Sequence, residues 1–267
     1  MTAPPTAFGR YLLETKLAAG GMGEVYLARM AGPRGFEKRV VIKRVLPHLA
    51  ESPEFVERFL DEARIVVRLA HGNIAQVLDM GEVDGQYFMA IEYVDGIDLR
   101  ELGRRLRDRK QPLPVPIALQ IASEVAKGLD YAHSRCDEDG KSLGIIHRDV
   151  SPSNVVVSRS GEVKLLDFGI ATASDRQVHS ISGALHGKFA YMSPEQASGR
   201  GLDRRSDLFS VGTLLYELLA GKRPFDDPSD LRILDLIRGG QYTPIQDVRT
   251  DLPDGVAAIV AKCPLKS

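Results

Sequence analysis

The feature that most constrains this chain is a pair of segments separated by a short stretch. The first is Ile145-Ile146-His147-Arg148-Asp149-Val150-Ser151-Pro152-Ser153-Asn154, and the second is Leu165-Leu166-Asp167-Phe168-Gly169. Two apolar runs, Val155-Val156-Val157 and Val163-Lys164-Leu165-Leu166, read as the strands of a small hairpin. Paired strands hold the loops at their ends still, so Asp149, Asn154 and Asp167 can converge on one point. Three oxygen-bearing side chains around one point suit a hard cation such as Mg²⁺ together with a phosphate.

At 267 residues the chain can bury one large core, or two lobes sharing a cleft. Its 35 Lys+Arg against 36 Asp+Glu leave a net charge of -1, which provides no global field for nucleic acid or an anionic membrane. The two cysteines, Cys136 and Cys263, make neither a disulfide framework nor a metal-ligand spacing, which points to a reducing cytoplasm. Met1 to Thr6 lacks the basic start and apolar run of a signal peptide, and no segment has the apolar length of a membrane span. Residues 1–7 are expected to be a flexible leader.

Tyr11 to Ala18, Glu24 to Met30 and Lys38 to Leu46 read as three strands, the first two joined by Ala19-Gly20-Gly21-Met22-Gly23. Such a turn either closes a plain hairpin or lets the backbone approach a phosphate with its N–H groups free. Ser52-Pro53 opens a helix, with serine as cap and proline in the first turn. Phe55, Phe59, Val66 and Leu69 form its apolar stripe, and Glu62 falls inside it. A carboxylate facing a core needs a cation, unless it lies at the stripe's edge and reaches water.

Ile74 to Glu82 and Gln86 to Glu92 read as another hairpin. Arg100 to Lys110 is dense in arginine and lysine but interrupted by Glu101 and Asp108, and reads as a solvated helix face. Pro116 to Arg135 is a long helix in which His133 is structural, and Cys136 to Leu143 is a surface hairpin. Asp203 caps a buried helix through Ala220, which Gly221 and Pro224 end.

These segments resemble the protein kinases, whose catalytic loop reads His-Arg-Asp-Leu-Lys-Pro-x-Asn and whose metal loop reads Asp-Phe-Gly. Gly20, Gly23 and Val25 match the glycine-rich pattern, with Ala18 in place of its first glycine. Val40-Val41-Ile42-Lys43 matches Val-Ala-Ile-Lys, with Val41 for the alanine. Gly-Gly-Met-Gly-Glu-Val-Tyr and Ser193-Pro194-Glu195-Gln196 are most similar to the serine/threonine kinases of bacteria.

The resemblance implies an α+β, bilobal fold. A β-rich N-lobe would span 8–91, a hinge 92–98 and an α-helical C-lobe 99–263, with the ATP cleft between lobes. It implies ATP, with Mg²⁺ (or Mn²⁺) held by Asn154 and Asp167. Asp149 would accept the proton of a protein serine or threonine hydroxyl. Leu17, Gly20, Gly23, Val25, Val41 and Lys43 would form the nucleotide site, and Glu62 would hold Lys43 against the phosphates. Glu92 and Val94 would offer backbone groups to adenine, Ile91 would stand behind it, and Asp98 would meet the ribose. Asp207 would hydrogen-bond the catalytic-loop backbone. Arg148 would receive a phosphate on Ser180 or Ser182, unless these are ordinary loop serines.

Two departures pair up: Ser151 stands for the lysine after the catalytic aspartate, and Lys188 for a threonine before Ser-Pro-Glu. The expectation is that Lys188 supplies the missing ammonium to the γ-phosphate, with Ser151 as its hydrogen-bond partner. A third departure is terminal: no arginine follows to meet Glu195, so the C-terminal helices read as truncated. Autophosphorylation is expected and a homodimer is left open. The competing function is a pseudokinase that binds ATP or scaffolds without turnover.

Overall fold

The computed structural model describes residues 4–20, 23–168 and 188–262, excepting the side chains of Arg34, Arg58 and Glu62. These fall into two compact units, the first running to Val94 and the second taking up at Asp95, inside the 92–98 stretch.

The first unit contains β1 (Thr6–Phe8), β2 (Tyr11–Ala19), β3 (Gly23–Ala31) and β4 (Glu37–Val45), then α1 (Pro47–Ala50) and α2 (Pro53–Val66), then β5 (Val77–Val83) and β6 (Gln86–Glu92). The strands form one antiparallel sheet in the order β1-β2-β3-β4-β6-β5. Alternation places Phe8, Tyr11, Leu13, Ala28, Val40, Ile42, Phe88 and Ala90 in one buried cluster. Phe88 meets Phe8 and Tyr11 edge-on, each at 5.4 Å between ring centres. That burial corrects the expected leader. Thr6 and Ala7 pair with Leu13 and Leu12 in β1, because Phe8 carries them onto the sheet. Burying one side chain of that size stabilises by about 1.5–3 kcal/mol.

In α2 the cap forms as the sequence predicts, with Phe55 N donating to Ser52 Oγ at 3.3 Å. Phe55, Phe59, Ala63 and Val66 are its buried face.

The second unit opens with β7 (Gly96–Asp98), α3 (Leu99–Asp108) and α4 (Val115–His133). β8 (Val155–Ser158) and β9 (Val163–Leu165) join β7 in a small antiparallel sheet, β7-β8-β9. Then come α5 (Pro194–Ala197), α6 (Arg204–Ala220), α7 (Asp230–Arg238), α8 (Ile245–Val248) and α9 (Asp254–Lys262). The Cys136 to Leu143 hairpin forms, with Asp137 N donating to Lys141 O at 2.9 Å.

α6 is the axis of this unit. It buries Phe209, Val211, Leu214, Leu215, Tyr216 and Leu219, which leaves it apolar on most sides. Asp203 accepts from Arg205 N at 2.8 Å to start it. Gly221, at φ 70, ends it in the left-handed conformation that glycine alone adopts without steric cost. Among the described residues, no helix is long and apolar enough to cross a membrane.

Candidate active site

The loop from His147 to Asn154 is pinned from below by one buried carboxylate. Asp207, in the first turn of α6, accepts from His147 N through Oδ2 and from Arg148 N through Oδ1, both at 2.8 Å. His133, at the end of α4, adds a 2.7 Å contact from Nε2 to Asp207 Oδ2. Both roles, structural aspartate and structural histidine, are the ones the sequence suggested. The His147 ring is fixed as well. Asp149 N donates to its Nδ1 at 3.2 Å, so the ring proton sits on Nε2 and goes to Leu166 O at 2.8 Å.

This anchoring holds two residues in unusual backbone conformations, Arg148 at φ 67 and Asp167 at φ 48. Each costs on the order of 1–2 kcal/mol for a residue with a Cβ. Such strain persists only where the surroundings over-determine it, and it clusters at functional sites.

Asp149 itself is approached from two sides. Asn154 Nδ2 donates to its backbone oxygen and to Oδ2, both at 2.8 Å, and Lys188 Nζ donates to the same Oδ2 at 2.7 Å. Oδ1 is left without a hydrogen-bond partner among the described residues. Lys188 therefore does come to the catalytic loop, but the expected partner is wrong. The hydroxyl of Ser151, only 2% exposed, lies 3.1 Å from Ser153 Oγ instead. A buried hydroxyl takes the nearest local partner, while an ammonium gains more from a carboxylate.

Asn154 spends its amide N–H₂ on Asp149, which leaves its carbonyl oxygen available. Leu166 N donates to Asn154 O at 2.8 Å, so Asp167 emerges next to Asn154. A carbonyl and a carboxylate brought together this way fit the all-oxygen shell of Mg²⁺.

In the first unit, β2 and β3 converge on Gly20 and Gly23, with Gly20 N donating to Gly23 O at 2.9 Å. A Cβ at Gly23 would strike the Arg44 carbonyl oxygen of β4, so only glycine lets the strands close here. Val25 pairs directly with Lys43, and Val41 with Leu27 and Ile91. Leu17 sits at a register shift in β2 and is 51% exposed, a bulge position of the kind that re-aims a side chain near a ligand. Glu62 lies on α2, but its side chain is outside the described residues, as are Ser180, Ser182 and Gly169.

Glu92 N donates to Gln76 O at 2.8 Å, so its carbonyl is the group it can offer to a base. Asp98 is the N-cap of α3, accepting from Glu101 N at 2.7 Å through Oδ1. One carboxylate oxygen is thereby committed to the helix, and Oδ2 stands 3.8 Å from Arg100.

Three features were not read from the sequence. Glu24, beside Gly23, is clamped by Lys16 at 2.6 Å and Arg44 at 2.5 Å and accepts from Tyr26 OH at 3.0 Å. These donors, Lys16 first, hold its carboxyl down at about 2. The second feature is a hydrogen bond from Tyr191 OH to Glu217. Burial pushes both groups upward from their ordinary values. The third answers the Glu195 question in part. Ser206 Oγ donates to its Oε1, while Oε2 is buried without a partner among the described residues.

Residues 11–255 match the protein kinase domain family. The chain belongs to the protein kinases. This kinase domain is 44% identical over 255 residues to the tyrosine-protein kinase MasK of Myxococcus xanthus (strain DK1622), covering 96% of this chain and 40% of that protein. It is 36% identical over 273 residues to the serine/threonine-protein kinase PknB of Mycobacterium leprae (strain TN), covering 99% of this chain and 42% of that protein. The kinase domain thus spans about two-fifths of these curated relatives. The crystal structure of the Mycobacterium tuberculosis PknI kinase domain matches all of this chain and 92% of its own, with a TM-score of 0.71 at 31% identity. The fold is accordingly that of the bacterial eukaryotic-like kinases, with a β-sheet N-lobe and a helical C-lobe.

Proposed function

We propose that this domain transfers the γ-phosphoryl group of ATP to serine or threonine hydroxyls of proteins, itself included. The observation that carries it is the state of Asp149. Asn154 and Lys188 hold one carboxylate oxygen, and the other is left to accept a proton. A bound ATP–Mg²⁺ complex supplies the phosphoryl group and the charge neutralisation. Everything else is positioning.

Asn154 and Asp167 would hold the metal through their oxygens. Lys43, with Glu62 behind it, would bind the α/β-phosphates. Leu17, Gly20, Gly23, Val25 and Val41 would enclose the nucleotide. The Glu92 carbonyl and the Val94 backbone would meet adenine, and Asp98 Oδ2 the ribose. Asp149 Oδ1 would orient the acceptor hydroxyl and take its proton. The Lys188 ammonium, bonded to Asp149 Oδ2, would lie where charge develops. Intact Asp149, Asn154, Asp167 and Lys43 weigh against the scaffold alternative.

Serine and threonine are favoured by Pro152 in the catalytic loop and by the Ser-Pro-Glu-Gln segment. The likeness to MasK favours tyrosine as the second reading. Phosphoamino-acid analysis after incubation with [γ-³²P]ATP and Mg²⁺ separates them. Label on phosphotyrosine alone overturns the first, and label in neither this chain nor its substrates overturns turnover itself. Lys43→Met should abolish labelling with the unfolding midpoint unchanged.

Regulation is proposed to run through Arg148. Its Nε is buried without a partner among the described residues, an unmet donor suited to phosphate. Ser180 and Ser182 are the proposed donors of that phosphate. An active preparation with no phosphate on either would remove this role. The reducing cytoplasm is the proposed compartment.

A further inference from the structure

The basic residues of α3 do not all serve the same end. Arg100, Arg104 and Arg105 are matched to carboxylates of the helix and its cap, Asp98, Glu101 and Asp108. That much is the solvated face the sequence suggests. Arg107 and Lys110 make no ion pair among the described residues, and these two line a cavity of about 360 Å³. Leu102, Leu106, Leu214 and Leu218 make its walls apolar. The volume lies in the range of ligand-binding pockets.

Lys110 is unusual in its backbone as well. Gln111 N donates to Leu106 O and Lys110 N to Arg107 O, both at 3.0 Å, the paired bonds that close a helix with a left-handed residue. That residue is ordinarily glycine, and here it is a lysine at φ 51. A strained residue that puts a cation at the rim of an apolar cavity is a mark of function rather than of packing.

Two further lining residues connect the cavity to the catalytic loop. One is Pro152 of the loop itself. The other is Glu217, which accepts the hydroxyl of Tyr191, three residues beyond Lys188.

We propose that this cavity recognises the protein substrate, taking a large apolar side chain with acidic residues beside it. The proposal rests on the phosphotransfer reading, because a segment presented to Asp149 is what would pass Pro152. Charge decides between acidic and basic substrates. Lys110 has no counter-charge among the described residues, and the only carboxyl near Arg107 in the wall, Glu217, is already hydrogen-bonded by Tyr191. Arg249, the remaining cation, is held by Asp251 and the Leu219 carbonyl and is not available.

The test reads binding without turnover. A short fluorescein-labelled peptide with a serine, a leucine and flanking glutamates is compared by fluorescence anisotropy with its glutamine and arginine counterparts. The glutamate peptide should bind about tenfold tighter than the glutamine one, as two new ion pairs at a rim would provide. Arg107→Gln with Lys110→Gly should erase the difference. Lys110→Gly alone should weaken the preference while raising the thermal midpoint by roughly a few degrees, since glycine suits the left-handed position. A general loss of structure would lower both, so this variant separates recognition from folding.

Equal binding of glutamate and glutamine peptides overturns the proposal, as does a preference that survives the double variant. A preference for arginine lost in Glu217→Gln overturns it too, as would saturation by octanoate with no peptide bound. Failure of phosphoryl transfer to every peptide counts against the phosphotransfer reading, while the binding comparison still decides the cavity.

Discussion

Lys188 and Asn154 hold the same oxygen of Asp149, at 2.7 and 2.8 Å, although Lys188 lies 39 residues further along the chain. The carboxylate of Asp149 thus takes its ammonium from outside its own loop. Lys188 is about half exposed, so the pair adds little to stability, and its proposed value is catalytic. Lys188→Ala should lower kcat by about 10²–10³, as expected for one donor at a developing charge, with little change in KM for ATP. A kcat within a few-fold of the parent, in steady-state assays with saturating ATP, would show that the contact is incidental.

Ser151 does not share that contact, which changes what a mutant cycle should give. Its hydroxyl is occupied by Ser153, so Ser151→Ala and Lys188→Ala act on separate interactions. Their effects on kcat should combine additively to within about 0.5 kcal/mol. A coupling energy several times larger would restore the direct Lys188–Ser151 partnership that the sequence suggested.

Asp207 carries the loop's backbone. Replacing it with alanine leaves His147 N, Arg148 N and His133 Nε2 without their acceptor in a fully buried place. Each unsatisfied group costs about 1–3 kcal/mol, and relaxation recovers part, so a net loss of about 3 kcal/mol is expected. Urea unfolding measures it directly. His133→Ala removes one of the three and should cost about a third as much. Equal losses in the two variants would mean that His133, not the backbone, is what Asp207 serves.

How far the sequence reached follows from the range of the signals. The cap at Ser52, the end of α6 at Gly221 and the β8–β9 hairpin are set by neighbours in sequence, and all three were legible. The structural roles of Asp207 and His133 came through the kinase motifs, since nothing local tells that residues 74 apart will meet. Lys188 was legible as a displaced charge but not in its partner, because the choice between Ser151 and Asp149 depends on which side chain is buried. The Glu24 clamp and the Tyr191–Glu217 pair left no motif at all. Strand register sets the first, and the second needs α6 packed against the turn at Phe189–Tyr191.

The Tyr191–Glu217 pair makes a pH prediction. Burial raises the folded pKa of Glu217 above its ordinary 4.5, so the folded state holds this proton more tightly than the unfolded chain does. Stability from this group is therefore full below about 4.5 and is lost as pH rises from there through the folded value. Glu217→Gln stays neutral and still accepts from Tyr191, so its stability should fall less between acid and neutral pH. Thermal midpoints of both proteins across that window check it. Parallel curves would show that Glu217 ionises normally.

The Glu24 clamp predicts the opposite slope. Lys16 and Arg44 reach this carboxylate from β2 and β4, and the Arg44 guanidinium also lies over the Tyr26 and Phe8 rings, at 5.1 and 5.7 Å. One side chain thus ties three strands beside Gly23, a residue of the proposed nucleotide site. Its folded pKa of about 2 lies below the ordinary 4.5, so the folded state releases this proton first. The stabilisation is present above about 4.5 and disappears as pH falls toward 2. Glu24→Gln should therefore unfold with a shallower acid limb than the parent. At neutral pH the cost should be about 1 kcal/mol, because much of the network faces solvent and is screened. Loosening the strands beside Gly23 should also raise KM for ATP several-fold while leaving kcat near its parent value. Glu24→Asp, which keeps the charge on a shorter stem, should recover part of both. If KM is unchanged while the acid limb flattens, the clamp stabilises the sheet alone and has no part in holding nucleotide.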